Sequence, residues 1–211
     1  MTRSLIGAFL LTALSAVAAD PSLAQPEQDP DWPCIQRKVP RLSLPQIWTG
    51  PQLPEATRKW SQENENADLV ARLSQRRIPI EEAQADIRTF ADSVTPQDDR
   101  EPRLLMLARG LFDRMNRERS EVISGIGRYA RKQTELAASL RAEQGQIDAL
   151  GEQPDADANA LAQRTDALVL KTRLFQERAQ SLEYVCEVPR LIERRLYQLA
   201  QTIAGLIAKE K

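Results

Sequence analysis

Cys34 and Cys186 are the only two cysteines in a chain of 211 residues, and the chain has no histidine. Without imidazole it lacks the usual general base, the usual proton shuttle and the commonest metal ligand. The two cysteines form no Cys-x-x-Cys motif, and no histidine is present to lower a thiol pKa, so a redox role has little support. In an exported chain such a pair reads as a structural disulfide. It would close a loop of about 150 residues, worth on the order of 5 kcal/mol in the chain-entropy account.

The other candidate chemistry is fainter. Asp155, Asp157 and Asn159 have the spacing of the first three oxygen ligands of a calcium loop. Ala160 stands where that loop needs glycine, and Asp166 stands where it needs glutamate, so the segment reads as the cap of a helix. Asp98, Asp99 and Glu101 follow Thr95-Pro96 and read as first-turn acids that complement a helix dipole. Gly125 and Gly127 follow no strand and precede no Gly-Lys-Ser/Thr, so they form no phosphate loop. Arg114, Arg117, Arg128, Arg131 and Lys132 are interspersed with Asp113, Glu118, Glu121 and Glu135, the pattern of a solvated, ion-paired face. A net charge of −1 gives no reason to expect nucleic acid or an anionic membrane as partner. No defensible nucleophile motif or zinc ligand set is present. No catalytic residue, metal or cofactor site is assigned, and the chain reads as a non-enzyme.

The elements are read from periodicity. Residues 102–150 contain no proline after Pro102. Val122, Ile126, Tyr129, Leu136, Leu140, Ile147 and Leu150 follow one heptad seam, with Gln133 and Glu143 as polar interruptions. A continuous helix here is roughly 70 Å long, more than a small core can cover, so a second long helix must pack against it. Leu104, Leu105, Leu107, Leu111, Phe112 and Met115 widen the apolar face of its first half. That half is expected inside a multi-helix body, and the second half as a protruding coiled coil. Gly151 and Pro154 mark a turn. The return helix carries Leu161, Leu168, Phe175 and Leu182 at a spacing of seven, joined further on by Leu196 and Ile203. Val185, Ile192, Leu199 and Leu206 hold a second such row. Two such helices joined by a short turn run antiparallel. Pro189 should kink or break the return helix.

Before the hairpin, Arg3 and the apolar run 5–19, followed by Ser22-Leu23-Ala24, read as a cleaved signal peptide over residues 1–24. Cleavage is assigned after Ala24, with Ala18 or Ala19 as the alternative, and no membrane insertion is expected afterwards. Residues 25–53 read as a strap. Prolines keep it extended, yet Trp32, Ile35, Val39, Leu42, Ile47, Trp48 and Leu53 are too apolar for a linker. Tied by Cys34 to Cys186, it lies across the base of the hairpin; the rival reading makes Trp48 an anchor for a partner. Residues 54–94 read as a short helical hairpin. One helix spans 54–76 with Leu53, Ala56, Trp60, Ala67, Val70 and Leu73 on one face, and Glu63 to Asn66 on a solvated one. The other carries Ile80, Ala83, Ile87, Phe90 and Val94. Residues 95–211 form the long hairpin.

The fold is therefore expected to be all-α, in an exported, periplasmic protein. Its expected role is that of an interaction or scaffold protein that holds a protein partner through Trp48, or through Leu136, Leu140 and Leu168 on the arm. A holdase-like chaperone built from two or more hairpins, and hence a homo-oligomer, is the second reading. A carboxylate-only enzyme or a small-ligand binder is the third.

Overall fold

The computed structural model describes residue 29, residues 31–96 and residues 99–209. The leader assigned to residues 1–24, the first strap residues and Asp98 lie outside the described residues. Among the described residues there is no strand, and the fold is the expected antiparallel hairpin. Its short elements are α1 (Leu44–Ile47), a 3₁₀ helix (Glu55–Gln62), α2 (Asn64–Leu73) and α3 (Ile80–Ser93). The hairpin itself is α4 (Arg100–Gly151) and α5 (Ala158–Ala208). At 52 and 51 residues, α4 and α5 are each about 77 Å long.

The seam follows the heptad. Ile126, Gln133, Leu140 and Ile147 of α4 are buried at intervals of seven, flanked by half-buried Tyr129, Leu136 and Glu143. On α5 the facing row is Leu161, Leu168, Phe175, Leu182, Pro189, Leu196 and Ile203, all buried or half-buried. The seam carries two separate apolar clusters. A large one at the base joins α4 before residue 116 to α5 after residue 191, together with α2, α3 and the strap. A small one in the arm holds Leu140, Ile147 and Leu168, with Leu136, Leu161 and Phe175 packed on it. Lys171 Nζ meets both carboxylate oxygens of Glu143 at 2.9 and 2.8 Å, so one polar interruption of the seam becomes an interhelical ion pair.

At the base, α2 lies on α4 and α3 lies on α5. Their connection is held by Arg195 of α5, whose guanidinium donates to the carbonyls of Leu73 and Ile78, both at 2.8 Å. Leu73 is the last residue of α2, so the buried cation satisfies a helix C-terminus, where positive charge is favoured. Burial pushes this guanidinium below its ordinary pKa. Arg119 of α4 is also buried and shifted down by burial, with Glu193 opposing the shift. It donates to the Val39 carbonyl at 2.6 Å and meets Glu193 of α5 at 3.2 Å, joining strap, α4 and α5.

The strap is laid down by side chains of α4. Asn116 accepts from the Leu42 N–H and donates to the Leu42 carbonyl, both at 3.0 Å, and Ser120 Oγ donates to the Pro40 carbonyl at 2.7 Å. Residues 116, 119 and 120 form one polar strip, which serves a backbone that prolines keep out of regular pairing. The disulfide Cys34–Cys186 is present, with Cα atoms 5.6 Å apart. Leu42, Ile47 and Trp48 enter the base core.

Several local expectations change. Residues 54–76 are not one helix: Glu63 is extended between the 3₁₀ helix and α2, so Ala56 loses the shared face and is exposed. Asn66 is not solvated but fully buried, with neither amide atom hydrogen-bonded. The long helix starts at Arg100, five residues past Thr95, with Pro102 in its first turn where a missing N–H costs nothing. Gly151 ends α4 without a positive φ. Pro189 neither breaks nor terminates α5, which runs on to Ala208. The proline ring is buried on the seam, so packing on both sides holds the helix together where its own bond is lost. Val185, placed on an inner row, is exposed, because the arm buries a narrower stripe of α5 than the base does.

Gly110 is the glycine that the base requires. A Cβ there would lie 2.7 Å from Val70 Cγ2 and 3.0 Å from the Trp60 ring. Glycine to alanine inside a helix normally gains about 1 kcal/mol. Here overpacking of about 1–3 kcal/mol outweighs that gain. Gly110→Ala is expected to lower the chemical-denaturation midpoint, whereas Gly145→Ala, whose Cβ meets nothing within 4 Å, is expected to raise it. Replacing Cys34 and Cys186 by serine should cost up to about 5 kcal/mol. It should also make the strap the first site cut in limited proteolysis.

Candidate interaction surface

A two-helix arm consumes one apolar stripe of each helix, and that decides where the sequence candidates go. Leu140 and Leu168 are buried in the arm seam, and Leu136 is half-buried beside them. They hold α4 to α5 and are not a surface for a partner. Trp48 is 8% exposed within the base core, and its indole N–H donates to the Pro51 carbonyl at 2.6 Å. The ring lies so close to Gly50 that a Cβ there would come within 2.3 Å of it. Trp48 is a strap residue that packs inward, and the anchor reading falls.

What remains outside is different. Eight large hydrophobic side chains are exposed among the described residues: Ile35, Val169, Leu170, Leu174, Tyr184, Val185, Leu191 and Tyr197. Seven belong to α5, and the eighth, Ile35, follows the cysteine that is bonded to α5. Tyr184 is 82% exposed and Leu170 59%. The arm of α4 presents no comparable face: Lys132, Glu135, Ser139, Arg141, Gln146 and Asp148 are exposed there. Leu170, Leu174, Tyr184 and Leu191 share one side of α5 and sum to on the order of 500 Å², at the upper end of what a monomer leaves in one patch, whereas Val169 and Tyr197 lie on another side of the helix. Charges of both signs lie along the face: Arg190–Glu187 at 3.3 Å borders it, and Arg173 on its edge pairs at 3.2 Å with Glu177, which interrupts it. Residues 170, 174, 177, 181, 184, 188 and 191 alternate in steps of four and three, which marks a second heptad row. That pattern was legible in the sequence but masked by the stronger inner one.

The basic cluster is split. Arg131 pairs with Asp31 at 2.8 Å and fastens the start of the strap. Arg117 and Arg128 join Arg41 around an open groove of about 550 Å³ between strap and α4. Asp113 and Glu121 line the same groove, so its formal charge is only +1. Asn116 and Ser120, which also line it, are occupied by the strap backbone. Asp29 lies near the strap's start, and hydrogen bonding to Lys38 holds its carboxyl below the usual range. Asp157 caps α5, accepting from the N–H groups of Asn159 at 2.9 Å and Ala160 at 3.3 Å, as the capping reading of 155–159 expects. No three potential metal ligands cluster among the described residues. No described helix is long and apolar enough to cross a membrane.

Comparison with protein-family models, curated proteins and solved structures gives no match.

The inward and outward rows of α5 should respond differently to truncation. Leu168→Ala removes arm core and should cost about 2–3 kcal/mol. Leu170→Ala, two residues on, should stay within about 0.5 kcal/mol of the parent. Denaturant melts and amide exchange over residues 136–175 read both.

Proposed function

We propose that the protein is an exported, periplasmic interaction protein without catalytic function, whose outer α5 face holds a protein partner. The observation that carries this reading is the one-sided placement of exposed hydrophobes: seven lie on α5, against a polar outer face on the arm of α4. Solvent alone gives no reason for Leu170, Leu174, Tyr184 and Leu191 to stand outside a helix that already has a complete inner seam. The buried base and its disulfide fit a rigid foundation from which the arm projects, and the disulfide fits an oxidising compartment. A holdase-like chaperone remains the second reading. A flexible-tolerant apolar stripe rimmed by mixed charge also suits weak contact with unfolded chains.

The test is a photo-crosslinking amino acid placed at Leu174 or Tyr184 in the exported chain, with the same residue at Ala138 of α4 as control. A dominant adduct from the α5 positions, absent from the control, is the expected result. A ladder of many unfolded clients transfers the assignment to the chaperone. Equal labelling from all three positions, or none from any, removes α5 as the functional face.

A further inference from the structure

We propose that the occupant of the outer α5 face is a second copy of the same chain, paired antiparallel about a two-fold axis near residue 179. This rests on reading that face as the interaction surface, and it names the partner. An isologous dimer needs a surface that matches itself when reversed. The second heptad row does so. With the axis there, residues whose numbers sum to 358 lie opposite one another. Leu170 then meets Val188 of the second copy, Leu174 meets Tyr184, Ala167 meets Leu191, and the polar pair Glu177 and Ser181 meet each other in the middle. Every apolar layer faces an apolar side chain, and the one carboxylate faces a hydroxyl.

The flanking charges choose the direction. In the antiparallel pairing the flanking row on one side pairs residues whose numbers sum to 360, so Arg173 faces Glu187 of the second copy on both sides of the axis, and Gln180 faces Gln180. The other flanking row pairs numbers that sum to 356, which sets Lys171 against Val185 and brings the two copies of Arg178 together at the axis, each within one helical turn of Glu177 of the second copy. A parallel pairing in register would set Glu177 against Glu177 and Arg173 against Arg178, like charges in each case. Shifting the antiparallel register by one heptad sets Leu170 or Leu174 against Ser181 or Glu177, or Arg173 against Arg194. All of these side chains are exposed except Val188, which is half-buried against the base core, and Arg173 and Glu187 would exchange their intrachain partners Glu177 and Arg190 for one another.

The extent is also sufficient. Residues 167–191 span about 36 Å of helix. Doubling an apolar patch on the order of 500 Å² and adding the stems of Lys171, Arg173 and Arg178 brings the buried area to roughly 1,200 Å² or more, the size of a stable interface. The row ends at Leu191 because the next position, Arg195, lies under the α2–α3 connection. The dimer would enclose a four-helix arm with a base at each end.

Mass measurement by light scattering and sedimentation of the exported chain, at concentrations up to roughly 100 μM where weak dimers populate, tests this. A mass twice that of one chain is expected. Leu170→Glu with Leu174→Glu should return it to one chain with the circular dichroism spectrum unchanged and a melting temperature that no longer rises with protein concentration. Glu187→Arg alone should weaken the dimer at least about tenfold, and adding Arg173→Glu should restore it. That rescue cannot come from a folding defect. A single-chain mass throughout, or a dimer indifferent to all these changes, overturns the proposal. If the chain is monomeric but position 174 still captures a different protein, the interaction reading stands and self-pairing falls. If the dimer forms and position 174 labels only the second copy, self-pairing stands and a separate partner is excluded from that face.

Discussion

Two helices of about 77 Å each can satisfy only one stripe of one another, and the remaining architecture follows from that constraint. Along the arm the inner rows of α4 and α5 meet, and every other face is open. Toward the base both helices carry apolar side chains over a wider arc: Leu104, Leu105, Leu107 and Leu111 on one, Ile192, Leu196, Leu199 and Ile203 on the other, all buried. That arc requires covering. The 3₁₀ helix, α2, α3 and the strap are the cover, and their own apolar residues have no other place to go. The core is therefore at one end of the molecule because the hairpin can share its seam anywhere but can recruit other elements only where its helices are apolar over that wider arc.

The cover is fixed by polar contacts buried within it. Arg195 reaches two backbone carbonyls at separations of 122 and 117 residues, and Arg119 joins the strap carbonyl of Val39 to Glu193. Their lowered basicity has the same cause as their structural value: both guanidiniums are removed from water, so each surviving hydrogen bond counts for more and each lost one would be costly. The strap adds a covalent tie at Cys186 and borrows hydrogen bonds from Asn116 and Ser120. A proline-rich segment cannot join a regular ladder, so it must be held by side chains, and α4 supplies them at helical spacing.

The helix content, the hairpin, its turn and the disulfide were legible because each rests on a period or a residue type: sevens along α4 and α5, Asp157 as a cap, two cysteines and no more. The finer points were not. Pro189 stays inside a helix because seam packing on both sides outweighs its missing N–H, and local rules do not register packing. Asn66 is buried although it sits among Glu63, Asn64 and Glu65, because the extended residue at 63 resets the helical face. Gly110 looks like any helical glycine until Val70 and Trp60 are placed over it. The candidate arm residues lie inside for a related reason. Leu136, Leu140 and Leu168 are the most regular apolar residues of the arm, and regularity of that kind signals a partner already present within the fold.

The less regular residues are then the informative ones. A coiled-coil arm needs no leucine, valine or tyrosine on its outer side; α4 meets that requirement with Ser139, Gln146 and Asp148, while α5 places Leu170, Leu174 and Tyr184 there. Both helices share one solvent, one turn and one seam, so the environment common to both cannot account for the difference. Helix propensity does not account for Tyr184, since tyrosine is a poorer helix former than the alanine and glutamine that α4 uses, and it gives leucine no advantage over glutamine. The asymmetry is the observation on which the proposed contact through α5 rests. The disulfide sits on that same helix, fixing the strap at Cys186, beside the outward row and clear of its apolar positions. The base thus anchors α5 as far back as Cys186 and leaves the outward row open along the rest of the arm.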